Sequence, residues 1–186
     1  MDALTRRRIL MFAPLGVAAA GSGVFWALLL RMREGRYDPH ALQSMLVGKP
    51  LPDFNLTGQP PSAGFTNADV TRGKLPALVN FFASWCIPCV EETGSLMQLS
   101  RQGVPIWGIA YKDSITATAG FLTRYGDPYH RVARDADGRT AINFGLYGVP
   151  ETYVVDRSGI VRLRYAGGIS TSAAQQTILP LLRKLA

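Results

Sequence analysis

The chain has 186 residues, 47% of them apolar, with 20 Lys and Arg against 13 Asp and Glu and a formal net charge of +7. That length fits one domain of ordinary size plus an appendage, and the apolar fraction is enough for a sizeable core. The positive charge is mild, falls partly on Arg6, Arg7 and Arg8, and is otherwise spread out, so it carries no nucleic-acid footprint.

Residues 1–8 are a short basic terminus, and residues 9–30 then run without a charge until Arg31 and Arg33. About twenty apolar residues suffice to span a bilayer as a helix, and Pro14, Gly16, Gly21 and Gly23 are tolerated in such helices. The competing reading is a cleavable signal peptide, with the small residues Ala18 to Gly23 offering the cleavage site. Val24 to Leu30 continue the apolar run past that site, which favours an uncleaved single-pass anchor. Thr5 to Leu10 is also somewhat similar to a twin-arginine export signal, although arginines before an apolar segment are common. The basic residues assign the terminus to the cytoplasm; Arg31 and Arg33 weaken that bias without reversing it. The remainder then lies on the periplasmic side of an inner membrane. That compartment is oxidising, so a working dithiol there needs a defined electron source or sink.

Residues 31–46 read as a linker, and 47–186 as the globular domain. Its first segment, Gly48 to Leu56, contains Pro50 and Pro52 and predicts an edge strand from Asp53. Gly58 to Gly64 is a loop, and Asn67 to Val70 one helical turn before Gly73. Ala77 to Ala83 is an apolar run typical of a buried strand.

Trp85-Cys86-Ile87-Pro88-Cys89 comes next, holding both cysteines of the chain. Leu96 and Leu99 suit a helix after it, which sets the first sulfur at a helix N-terminus. Unpaired N–H groups and the helix dipole stabilise a thiolate there, and Cys-X-X-Cys thiols so placed have lowered pKa values. Pro88 fits the first turn, where its missing N–H is not needed. A zinc site needs about four ligands, whereas His40 and His130 are isolated. A haem attachment site needs His after the second cysteine, and Val90 stands there. An inert structural disulfide closing so short a loop gains little stability, which leaves redox chemistry as the favoured reading.

Val104 to Tyr111 predicts a second buried strand, Ser114 caps a helix to Tyr125, and Gly126-Asp127-Pro128 ends it. Arg131 to Arg134 reads as a short strand, Arg139 to Phe144 as a helix stopped by Gly145. Thr152 to Asp156 and Ile160 to Tyr165, joined by Arg157-Ser158-Gly159, read as a hairpin. Ser170 or Thr171 caps a last helix to Lys184, with Pro180 expected to kink it. This order predicts an α/β fold with a mixed sheet flanked by helices.

The chain resembles the thioredoxin superfamily through the Trp85–Cys89 motif and through Val149-Pro150-Glu151-Thr152, similar to that fold's cis-proline loop. More narrowly it resembles the membrane-anchored CcmG/DsbE-type thiol:disulfide oxidoreductases of cytochrome c maturation. Val47 to Pro50, Tyr111-Lys112-Asp113, Gly145 to Thr152 and the N-terminal anchor carry that match.

The resemblance implies a thioredoxin-like fold over residues 46–185 and protein-disulfide oxidoreductase activity without a cofactor beyond the redox-active Cys86–Cys89 pair, and without metal. It implies Cys86 as nucleophile and Cys89 as resolving thiol. The electron donor would be a membrane thiol transporter, and the acceptor the haem-binding Cys-X-X-Cys-His of apocytochrome c or a CxxC maturation protein. Asn80 stands where thioredoxins carry a buried aspartate, and Glu92 matches the glutamate held to tune this family's site by its offset from Cys89. The competing reading puts Glu91 and Glu92 on an exposed face, complementing the helix dipole. By the resemblance, Pro150 is expected to expose the Val149 backbone for strand-like pairing with a substrate, against a plain turn proline. Glu151 recognises a partner or shapes the groove, against a plain solvated loop charge. Trp85 covers the disulfide with a flat apolar surface, against ordinary core packing. Two other functions stay open: an anchored thioredoxin-like reductase or oxidase with different substrates, and a module that binds apocytochrome or haem without turnover.

Overall fold

The computed structural model of the chain describes residues 21–23, 25–26, 45–58, 64–73 and 75–186. The basic terminus at 1–8, most of the anchor expected at 9–30, most of the linker at 31–46 and the body of the 58–64 loop lie outside the described residues. Among the described residues, no helix is long and apolar enough to cross a membrane. The chain divides into Met1–Leu42 and Gln43–Ala186, and the second unit holds the described strands and the cysteine pair.

A five-stranded mixed sheet organises that unit. Its parallel half is β3 (Ala77–Phe82), β4 (Ile106–Tyr111) and β5 (Arg131–Asp135). β6 (Glu151–Val155) pairs antiparallel with β3, and β7 (Val161–Ala166) pairs antiparallel with β6 to complete the expected hairpin. The order across the sheet is β5-β4-β3-β6-β7. All six residues of β3 are buried, as a central strand covered on both faces requires. Alternation sorts them. Ala77, Val79 and Phe81 join a cluster with Phe65, Trp107, Phe144 and Tyr153. Leu78 packs on the opposite face against Leu96, Leu99, Ile178 and Leu182, and Phe82 lies in a third cluster that includes both cysteines. Asn80 therefore points to the same face as Leu78 and Phe82.

The strand expected from Asp53 is shorter. β1 (Asn55–Leu56) pairs only with β2 (Phe65–Thr66), in a separate two-residue ribbon. Pro50 and Pro52 lack the N–H a longer ladder would need, and Pro50 makes only an isolated bridge to Ile160. The turn expected near Asn67 is α1 (Asn67–Arg72), fixed by a capping box in which Thr66 and Asp69 exchange side-chain and backbone hydrogen bonds.

Helix α2 (Ile87–Arg101) takes Cys86 as its extended N-cap and carries Pro88 in its first turn. It buries Cys89, Glu92, Thr93, Leu96 and Leu99, a three-and-four spacing that turns one face to the sheet. Helix α3 (Ile115–Tyr125) is capped by Ser114, and α4 (Arg139–Phe144) stops at Gly145 in the left-handed conformation, φ 64°. The C-terminal segment differs from expectation. Ser170 caps α5 (Thr171–Ala173), Ala174–Ile178 is a π-helical stretch, and α6 (Leu179–Leu185) follows. Pro180 removes one donor and crowds the carbonyl four residues back, and the turn before it is widened into the π-helical stretch.

Candidate functional site

The apolar β3 ends at the turn where the cysteines sit. Cys86 and Cys89 are joined by a disulfide, with Cα atoms 5.3 Å apart. The Cys89 N–H donates to Cys86 Sγ at 3.2 Å, so the nominal cap atom of α2 is the first sulfur. Both cysteines are largely covered, 4% and 1% exposed, whereas their neighbours Trp85 and Ile87 are 60% and 73% exposed. Core packing of Trp85 is thereby overturned; its side chain lies at the surface, next in sequence to Cys86.

Val149 packs on the cysteine cluster, and the Val149–Pro150 peptide is cis. The structure thus brings together Cys86, Cys89 and Val149, from segments some sixty residues apart. Pro88 is exposed on the first turn of α2, while Pro150 is buried; its carbonyl accepts from Gly167 N–H at 2.9 Å.

Glu151 is not a solvated charge. It opens β6 with its carboxylate buried, paired with Arg164 from β7. Oε2 accepts from Arg164 Nε and from the Tyr153 hydroxyl, both at 2.9 Å, and Oε1 accepts from Tyr147 N–H at 3.1 Å. The Arg164 guanidinium lies 4.7 Å from the centre of the exposed Tyr147 ring. The hydrogen-bonded Glu151 carboxylate holds the Arg164 proton more tightly than usual, and burial followed by that carboxylate pushes the Tyr153 phenol up. Through the Tyr147 N–H, Glu151 ties the backbone of the loop before β6 to its ion pair with Arg164.

Glu92 lies on the buried face of α2, 1% exposed, while Glu91 beside it is exposed. The exposed-face reading therefore fails for Glu92; Glu91 is exposed but lies beyond the first turn of α2. Oε2 accepts from Ile169 N–H and Oε1 from Asn80 Nδ2, each at 3.0 Å. Burial without a counter-charge pushes its carboxyl up to about 7, although these two hydrogen bonds pull the other way. Asn80 also donates to Thr152 Oγ1 at 3.0 Å and accepts from the Tyr129 hydroxyl at 2.8 Å.

Two contributors escape the sequence pattern. Tyr129 joins the Glu92 network from 49 positions beyond Asn80, and no local motif marks it. Asp113 is legible only as part of Tyr111-Lys112-Asp113. Its buried carboxylate accepts from Ser84 N–H at 2.7 Å, from the Ser84 hydroxyl at 2.9 Å and from Ser114 N–H at 2.8 Å. It ties the end of β4 to the residue before Trp85. Among the described residues, no group of three or more His, Cys, Asp or Glu is placed to hold a metal ion.

Residues 46–178 match the Redoxin family. Thiol:disulfide interchange protein DsbE of Escherichia coli strain K12 is 38% identical over 180 residues, 96% of each chain. Thiol:disulfide interchange protein HelX of Rhodobacter capsulatus is 39% identical, covering 93% of this chain and 95% of the relative. Among solved structures, a thiol:disulfide interchange protein DsbE from Chlorobium tepidum superposes with a TM-score of 0.63 at 27% identity, covering 73% of this chain and 97% of that one.

Proposed function

The chain belongs to the Redoxin family and, within it, to the DsbE-type thiol:disulfide interchange proteins, and from that premise we propose that it reduces the haem-binding Cys-X-X-Cys-His disulfide of apocytochrome c, directly or through a Cys-X-X-Cys maturation protein. Residues 9–30 anchor it in the inner membrane, residues 1–8 face the cytoplasm, and the 31–46 linker holds domain 47–186 in the periplasm. A membrane thiol transporter returns electrons to it. The redox group is the Cys86–Cys89 pair, without a further cofactor.

The observation that carries the reading is the packing of Val149 from the cis-proline loop onto the cysteine cluster, with a buried carboxyl, Glu92, one helical turn beyond Cys89. In the reduced protein the Cys86 thiolate, favoured at the start of α2, attacks one sulfur of the substrate disulfide. A bond forms between the two sulfurs, the substrate disulfide breaks, and its other sulfur leaves as a thiolate. Cys89 then loses its proton and attacks Cys86 Sγ, closing the protein disulfide and releasing the second substrate sulfur. Two electrons pass to the substrate. One substrate sulfur takes the proton lost by Cys89, and the other leaves as thiolate. Glu92, whose carboxyl is pushed up to about 7, accepts the Cys89 proton and passes it on; a group titrating near the working pH suits that task.

Trapping tests this. Cys89→Ser in the full-length protein keeps the attack and loses the release, so a mixed disulfide accumulates at Cys86. The expected captive is a protein with a Cys-X-X-Cys-His segment or its Cys-X-X-Cys maturation partner. Restoration of cytochrome c maturation by the Cys86→Ala, Cys89→Ala double variant overturns the enzymatic reading in favour of a binding module.

A further inference from the structure

Asn80 sits in a row that crosses the sheet. Gly108 on β4 and Thr152 on β6 are its register partners. The Tyr129 ring reaches it over Gly108, stacked on Phe82 with centroids 4.7 Å apart and planes at 21°. A Cβ at position 108 would stand 2.8 Å from ring atoms of Tyr129 and 3.1 Å from Phe82, so glycine there vacates the space the phenol occupies.

Every hydrogen-bonding atom of the Asn80 side chain is then engaged. Its NH2 group serves Glu92 Oε1 and Thr152 Oγ1, and its Oδ1 takes the Tyr129 proton. Among the described residues the Tyr129 hydroxyl makes no other hydrogen bond. Turning the amide over would leave that buried phenol proton without an acceptor and would set Oδ1 against the Glu92 carboxylate, both costly in a dry interior. We propose that Tyr129 is a positioning residue of the redox site: its hydroxyl fixes the Asn80 amide with the NH2 group toward Glu92, and Gly108 and Phe82 form the cradle that holds the ring in place.

Few titrating groups compete for control of Glu92. β3 and β6 present the neutral Asn80 and Thr152, and the loop before α5 presents the Ile169 N–H. The Tyr129 phenol stands across Asn80, with Asp127 behind it. On α2, Cys89 lies one turn back, and Glu91 points outward. The link from Glu92 to Cys89 rests on the proposed function; the link from Tyr129 to Glu92 does not.

The two links separate in one experiment on the full-length oxidised protein with 13C-labelled glutamate, the Glu92 carboxyl signal being identified by its loss in Glu92→Gln. In Tyr129→Phe the midpoint of that signal moves upward, by about one pH unit for a weakened charge-assisted hydrogen bond. Gly108→Ala, which keeps the hydroxyl but crowds the ring, moves it in the same direction. An unchanged midpoint in both variants, with only the melting temperature lowered, overturns the proposal and leaves Tyr129 as core packing. The pH profile of thiol exchange after reduction reads the second link. A moved Glu92 midpoint with an unmoved exchange profile supports the role of Tyr129 and removes Glu92 as the relay for Cys89.

Discussion

Two buried glutamates, one on the helix that carries Cys89 and one just after the cis-proline, differ in their partners. Glu151 receives a guanidinium, a phenol and a backbone N–H. Glu92 receives an amide and a backbone N–H, both neutral. Burial is nearly complete for each. The counter-charge marks Glu92 off, because a carboxylate in low dielectric without a cation favours its protonated form. The loop that faces the sulfurs is thus held by a charge pair, while the helix beneath them carries a group free to change its proton content.

The strongest challenge to that contrast is Glu151→Ala, which leaves Arg164 buried without its carboxylate. Removal of one partner from a buried pair costs about 3–5 kcal/mol, so the urea midpoint of the oxidised protein is expected to fall sharply at pH 7. A loss no larger than that of Glu92→Ala at the same pH would erase the distinction.

Glu92→Gln tests the other side through pH. The folded carboxyl titrates at about 7 against an ordinary value of 4.5, so the native state holds a proton that the unfolded chain gives up between those values. Stability therefore falls as pH rises from about 4.5 through 7, by about 3 kcal/mol at most for a shift of that size. Glu92→Gln is expected to unfold at higher denaturant than the parent at pH 8 and to show little difference at pH 4.5. Parallel stability profiles across that range would mean that Glu92 is not lifted.

Asp113 is a third buried carboxylate, whose donors are two backbone N–H groups and a hydroxyl. Asp113→Asn loses charge-assisted bonds worth about 1.5–3 kcal/mol each but regains part of that through its amide oxygen. The expected loss is below that of Glu151→Ala, accompanied by faster hydrogen exchange at Ser84 N–H. Trp85→Ala marks the bottom of the scale. Its side chain is mostly exposed, so the stability change is expected within about 0.5 kcal/mol, while exchange with a protein disulfide slows more than exchange with a small one.

Much of the fold could be read along the chain because its signals are local. Ser114 and Gly126 bound α3, Gly145 stops α4, and the run from Ala77 to Phe82 is the central strand. The exceptions have backbone causes: Pro50 and Pro52 shortened the first strand, and Pro180 was met by a π-helical stretch. The site divides the same way. Cys86, Cys89 and Pro88 announce themselves within five residues, and their place at a helix start follows from the apolar run before them.

The sequence by itself determined which chemistry the chain carries, since two sulfurs at Cys-X-X-Cys spacing before a helix need only neighbours along the chain. Tertiary structure alone decided what surrounds the groups near that chemistry. Glu91 and Glu92 are indistinguishable in composition, and only packing of α2 on β3 sends one to water and the other beside Asn80. Arg164 and Tyr129 likewise reach Glu151 and Asn80 from distant strands and loops. Dielectric, counter-charge and hydrogen-bond direction are properties of what surrounds a group in space, and no short window of residues contains them.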